Sequence, residues 1–161
     1  MPAWTIRELE ERDQRWVARF MTEHWGAEIV VSKGKVYRPH SLPGFVAERD
    51  GNVLGLVTYD IKDDECEIVT LDSLYEGHGI GTGLIEAVKA AARGAGCKRL
   101  WLITTNDNLH ALRFYQKRGF ALVAVHRNAI EASRKLKPGI SLIGMDGIPI
   151  RDEVELELML V

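Results

Sequence analysis

The sequence predicts a mixed α/β domain in which helices flank one central sheet. Three observations carry this. From Glu65 onward, short β-rich runs alternate with helix-periodic runs. Just before them, Asp50-Gly51-Asn52 separates two β-rich runs, a strong hairpin signal. The last segment, EVELELML, alternates polar and apolar residues with the period of a strand.

In chain order, WTIREL, residues 4–9, reads as a short first strand. Trp16, Val17, Phe20, Met21 and His24 then recur at helical spacing, and Gly26 is placed to end that helix. Residues 28–44 are less regular, with a short strand signal followed by Pro39 and Pro43, which favour turns and extended backbone. FVAERDGNVLGLVTYDI gives two strands around the turn, and ECEIVTLDSL a third, so an antiparallel meander is expected. Ile80, Leu84, Ile85, Val88, Ala91 and Ala92 form one face of a helix that Gly94 and Gly96 close. KRLWLITT has the continuous apolar character of a buried strand. Residues 106–118 read as a helix stopped by Gly119, FALVAVH as a strand and NAIEASRKLK as a short helix. In EVELELML, Val154, Leu156, Leu158 and Leu160 share one face, predicting a half-buried strand.

The 161 residues suit one domain, 1–161, with 46% apolar and 27% charged residues, the balance of a soluble globular chain. A formal charge of -2 gives no electrostatic case for nucleic acid or an anionic membrane. No apolar run approaches a membrane span, and the start lacks the basic-then-apolar pattern of a secretory signal. Cys66 and Cys97 lie far apart in no metal-ligand pattern, so no metal is expected. A reduced, cytoplasmic protein is the simplest expectation, with a disulfide between the two left open.

The stretch YEGHGIGTGLIEAV carries the chemistry. Gly77, Gly79, Gly81 and Gly83 alternate between a strand and a clean amphipathic helix. The first N–H groups of a helix lack internal partners, and the helix dipole makes that end positive. Glycines let the backbone aim several such groups at one phosphate. The frame G-x-G-x-x-G fails here, with Thr82 or Leu84 at its last position, and the P-loop pattern is absent. Nicotinamide and ATP binding therefore lose their main support.

The run Glu76-Gly77-His78-Gly79-Ile80-Gly81 resembles the acetyl-CoA loop [Q/R]-x-x-G-x-[G/A] of the GNAT superfamily of N-acetyltransferases. NDNLHALRFYQKRGF resembles that family's N-x-x-A-x-x-x-Y-x-x-x-G-F segment, with Asn108, Ala111, Tyr115, Gly119 and Phe120 in register. The resemblance spans roughly residues 45–126, and Glu76 departs from it where the family usually has Arg or Gln. It implies an acyl-CoA N-acyltransferase (GNAT-like) fold with a central, mixed, mostly antiparallel sheet. The implied activity is transfer of an acetyl group from acetyl-CoA to a primary amine by direct attack on the thioester.

The resemblance also implies roles. Backbone N–H groups of Gly77, His78, Gly79, Ile80, Gly81 and Thr82 would hold the pyrophosphate, with the Glu76 carboxylate turned to water. Leu71, Asp72 and Ser73 match the strand that splays from its neighbour beside pantetheine, and offer main-chain bonds there. One main-chain N–H near the thioester oxygen would stabilise an oxyanion. Tyr115 matches the acid that protonates the departing thiolate; read alone, it is equally a packing residue. Asn108 matches a pantetheine contact or, as plainly, a helix cap. Glu67 stands where several members carry a general base, although alone it reads as a solvent-facing strand residue; His24, His40, His78, His110 and His126 are other candidates.

The acceptor, a small-molecule or peptide amine, would sit between residues 24–25, residues 36–40 and residues 127–150, with Arg38 or Arg134 as partners for a carboxylate. The apolar last strand offers pairing across a homodimer. Two other classes stay open: a CoA-binding module without catalysis, and a binder of another phosphorylated ligand.

Overall fold

Among the described residues, 3–160, the computed structural model has nine strands and four helices in the order β1 (Thr5–Glu8), α1 (Gln14–Trp25), β2 (Val30–Ser32), β3 (Lys35–Tyr37), β4 (Gly44–Arg49), β5 (Asn52–Lys62), β6 (Glu65–Ser73), α2 (Ile80–Gly94), β7 (Arg99–Thr105), α3 (Leu109–Lys117), β8 (Ala121–His126), α4 (Ala129–Leu136) and β9 (Glu153–Met159). Seven strands form one sheet in the order β1-β4-β5-β6-β7-β9-β8, and β2–β3 is a separate hairpin. Within the sheet only β6–β7 is parallel. The expected meander is β4–β5–β6, and its first turn holds Asp50 and Gly51 at φ 53° and 78°, the left-handed pair a two-residue hairpin loop requires.

Two cores lie on opposite faces. The larger packs Ile80, Leu84, Ile85, Val88 and Ala92 of α2 on Val57, Cys66, Ile68, Leu100, Leu102 and Leu156. Each fully buried leucine or isoleucine there contributes roughly 2 kcal/mol. The smaller packs Val17, Phe20 and Met21 of α1 on Leu56. Gly26, at φ 78°, ends α1 as expected. Both cysteines are buried free thiols.

One ionic staple fixes the start of α1. Asp13, buried, accepts hydrogen bonds from both Arg7 terminal nitrogens at 2.8 and 2.9 Å, from Trp16 Nε1 at 2.7 Å and from the Glu10 N–H at 2.8 Å. The Arg7 hydrogen bond foremost holds its carboxyl far below the usual carboxylate range. The folded value lies below the unfolded one, so this stabilisation is complete above about pH 4 and is lost as pH falls. Asp13→Asn should cost about 3 kcal/mol at pH 7. Urea titrations at pH 7 and pH 3 check this, with the gap between variant and parent shrinking at the lower pH.

Four elements differ from the sequence expectation. Residues 28–44 hold an ordered hairpin, β2–β3, followed by a short 3-10 turn, Pro39–Ser41. The helix expected from residue 106 begins at Leu109, because Asn106 and Asp107 bind the chain before β9 instead. Asn106 accepts from the N–H groups of Arg151 and Asp152, and Asp107 from that of Met145. β7 is not buried on both faces, since Leu100 and Leu102 enter the core while Arg99 and Trp101 are half-buried opposite. In β9 the polar face is buried too, with Glu153 and Glu155 only 2% and 5% exposed. Burial alone would raise Glu155, but hydrogen bonds from His126, Arg99 and Lys33 outweigh it and hold it at about 2. β9 also pairs on both sides, with β7 and β8, so it presents no free edge to a second copy.

Candidate active site

β6 and β7 pair only from Glu65/Arg99 to Ile68/Leu102. Beyond that point each strand follows its other neighbour. β6 stays on β5 as far as Ser73, and β7 stays on β9 as far as Thr105. The cause is local: the β5–β6 register skips Val69, a bulge that bends β6 where it leaves β7. A wedge opens with one unpaired edge of β6, from Val69 to Ser73, along its side. This is the splay that the sequence resemblance implies.

A cavity of about 450 Å³ lies at the wedge, lined by Leu71, Asp72, Ser73, Gly77, Gly79, Ile80, Gly81, Thr82, Asn108 and Tyr115 among others. These are all the expected cofactor-contact residues except His78, which is exposed and does not line it, together with the expected acid. The loop that closes one end uses its glycines for two different purposes. Gly77 and Gly79 sit at φ 78° and 77°, left-handed backbone that side chains disfavour. Gly81 and Gly83 have no such φ. A Cβ on Gly81 would stand 3.0 Å from the Phe114 ring, and one on Gly83 2.9 Å from Trp4. The outer pair shapes the turn, and the inner pair lets α2 sit close to its neighbours.

The first bond of α2 runs from the Gly83 N–H to the Gly79 carbonyl at 2.9 Å. The N–H groups of Ile80, Gly81 and Thr82 therefore have no partner within the helix. Arg118 adds a full positive charge at this end. Its Nε donates to Thr82 Oγ1 at 2.9 Å, its Nη1 to the Phe114 carbonyl at 2.9 Å, and its guanidinium lies 3.6 Å over the Phe114 ring. Sequence reasoning missed Arg118; the signal was a cation one residue before Gly119, in the same motif as Tyr115. Exposed N–H groups, a helix N-terminus and an arginine together suit a diphosphate. Glu76 lines the same cavity but is mostly exposed, its carboxylate 3.5 Å from His110 Nε2 on α3.

At the other end of the cavity Tyr115 is buried between Phe114 and Phe120, each ring edge-on at 5.3 Å. Burial first, and then the nearby Asp72 carboxylate, push its phenol up, so it stays protonated and able to donate. Asn108 caps α3, its side-chain oxygen accepting from the Ala111 N–H at 3.1 Å.

Glu67 is elsewhere. It does not line this cavity. It is 3% exposed under the β2–β3 hairpin, where Ser32 Oγ donates to one oxygen at 2.7 Å and the Tyr37 hydroxyl to the other at 2.6 Å. Burial raises its carboxyl, against those two bonds. Arg134 donates to the carbonyls of Ile140, Ser141 and Ile150, tying down the chain after α4. Among the described residues no group of three or more His, Cys, Asp or Glu is placed to hold a metal ion, and no helix is long and apolar enough to cross a membrane.

The fold is thus a mixed α/β sheet that splits beside a glycine turn and a helix N-terminus. Residues 3–120 match the Acetyltransferase (GNAT) family, and the chain belongs to it. It is 46% identical to YxbD, an uncharacterized protein of Bacillus subtilis (strain 168), over 86% of this chain and 87% of that one. To YdhI, an uncharacterized protein of the same strain, it is 47% identical over 84% and 85%. A GNAT family acetyltransferase from Elizabethkingia anophelis, crystallised with acetyl-CoA bound, superposes with a TM-score of 0.71 at 19% identity, over 99% of this chain and 100% of that one. At that identity the likeness is one of fold.

Proposed function

We propose that this protein is an N-acetyltransferase that moves the acetyl group of acetyl-CoA to a primary amine by direct attack on the thioester. The observation that carries the reading is the juxtaposition in one cavity of the glycine turn, the unpaired edge of β6 and the protonated Tyr115. In this reading the N–H groups from Gly77 to Thr82, with Arg118, hold the pyrophosphate. The free edge at Leu71, Asp72 and Ser73 offers main-chain bonds to pantetheine, and Asn108 flanks the arm while capping α3. Tyr115 gives its proton to the thiolate as the C–S bond breaks. His78 contributes only its backbone. No side chain here is set up as a covalent acyl carrier: Cys66 and Cys97 are buried, and burial raises both thiols.

The test is release of free CoA thiol from acetyl-CoA, with a panel of acceptors covering a polyamine, an aminoglycoside, amino acids, a peptide with a free N-terminus and a lysine peptide. The expected result is thiol release with at least one class, matched by one acetyl group gained by that amine. The engaged state of Glu67 favours a second reading, a CoA-binding module without catalysis. Tight acetyl-CoA binding with no thiol release across the panel would establish that reading instead.

A further inference from the structure

The cavity contains a carboxylate to which the resemblance gave only a main-chain role. Asp72 lies opposite Leu56 in the β5–β6 ladder, and Leu56 packs under α1, so the Asp72 side chain faces α1 rather than α2. There it meets Trp25, the last residue of α1, whose Nε1–H donates to both carboxylate oxygens at 3.1 and 3.0 Å. Asp72 and Tyr115 line the same cavity from opposite walls, and the Asp72 charge is one of the two influences that raise the Tyr115 phenol. Trp25 is 36% exposed, so this corner opens to solvent on the α1 side of the sheet. An acceptor arriving from that side meets Asp72 before it meets Tyr115.

Glu67 is poorly placed for the same work. It sits about 16 Å further back along β6. Both its oxygens are occupied by the hydroxyls of Ser32 and Tyr37. Glu67 lines a separate pocket, with Ser32, Tyr37 and Asp60, rather than the cavity that holds Tyr115. Asp72 accepts from a single donor, the Trp25 indole N–H shared between its two oxygens, against two separate hydroxyl donors at Glu67, so it keeps the greater capacity for a further donor.

Resting on the acetyltransferase reading, we propose that Asp72 is the carboxylate that receives the acceptor as an ammonium ion and takes a proton from it. The acceptor is then an aliphatic primary amine, charged at neutral pH, bound against the Asp72 carboxylate beside the Trp25 indole. Asp72 accepts one N–H proton, directly or through one water, and the freed lone pair attacks the thioester carbonyl carbon. The C–N bond forms, the C–S bond breaks, and Tyr115 protonates the sulfur. Of the three ammonium protons, one stays on the amide and one leaves through Asp72 to solvent. The third replaces, through water, the proton that Tyr115 gave up.

The electrostatics agree. Burial pushes the Asp72 carboxyl up to about 6, against the Trp25 hydrogen bond and the charge of His24. A base poised there is ionised at neutral pH and still basic enough to accept a proton. The titratable groups that face it are His24 from α1 and Tyr115 from α3, while β5 presents only Leu56.

The experiment compares kcat/KM against pH, from 5 to 9.5, for the parent, Asp72→Asn and Trp25→Phe, using the best acceptor of the panel above. The parent should gain activity as pH rises through about 6. Asp72→Asn keeps an oxygen for Trp25 and should bind acetyl-CoA as the parent does. It should lose activity about 10-fold at pH 7, lack the limb near 6, and recover as pH nears the amine's own pKa. Trp25→Phe should move the limb to higher pH, because it removes the bond that lowers the carboxyl. The thermal midpoint supplies a second readout. A carboxylate raised by burial costs the folded state more as pH rises from about 4 through 6, so Asp72→Asn should melt at or above the parent at pH 8. A parallel pH profile for Asp72→Asn, or an equal loss at every pH with a lowered midpoint, would overturn the proposal and leave only a structural tie between α1 and β6. Absence of turnover by the parent with every amine of the panel would overturn the acetyltransferase reading and this one together.

Discussion

Tyr115→Phe should lower kcat about 100-fold while leaving the affinity for acetyl-CoA within about twofold. The ring is held edge-on by Phe114 and Phe120 at 5.3 Å, and a phenylalanine keeps that packing. What disappears is the one proton held against the place where a thiolate would form. The parent phenol is raised well above its ordinary value by burial, so no alkaline loss of activity should come from it below about pH 10. Steady-state kinetics checks the kcat effect, and titration calorimetry checks the affinity. An unchanged kcat would remove Tyr115 from the chemistry and leave it as core.

The opposite signature is expected at the glycine turn. Gly79 precedes α2 at φ 77°, and a β-branched side chain there meets the backbone in the left-handed region. Gly79→Val should strain that conformation by about 2 kcal/mol. The free protein can relieve the strain by letting the turn move, and binding must then restore it. The affinity for acetyl-CoA should therefore fall about 30-fold, with kcat at saturation much less affected. Gly139→Val is the control, since a Cβ at Gly139 meets nothing within 4 Å and its φ is not left-handed. Calorimetry on the two variants separates the outcomes. Equal affinities for both would mean that the turn does not shape the binding site.

The parts of the site that were legible in the sequence are those made by backbone and by neighbours along the chain. The glycine turn, the start of α2 and the Asn108-to-Tyr115 part of the motif are each local, and residues of all three line one cavity. The illegible parts depend on partners far away in sequence. Glu153 and Glu155 read as a solvated face because nothing in EVELELML announces Arg99, Lys33 and His126. Glu67 likewise reads as solvent-facing, because Ser32 and Tyr37 reach it from an irregular stretch whose hairpin geometry the sequence does not specify. Asp72 was legible as strand but not as a side chain, since its setting depends on where α1 ends. Asn106 and Asp107 look like a helix start, yet their side chains prefer the N–H groups before β9. Gly81 and Gly83 were legible as glycines, but their reason is steric, set by Phe114 and Trp4. Apolar exposure on the sheet edge falls on β8, at Leu122, Val123 and Val125, while β9 exposes Met159.

The wedge between β6 and β7, closed by the glycine turn, is proposed as a coenzyme A site. Its most direct test is titration calorimetry of the purified protein with acetyl-CoA. Saturable binding at one site per chain is expected, competed by CoA and weakened in Gly79→Val. No measurable heat with acetyl-CoA or CoA, together with an unshifted melting temperature, would contradict it.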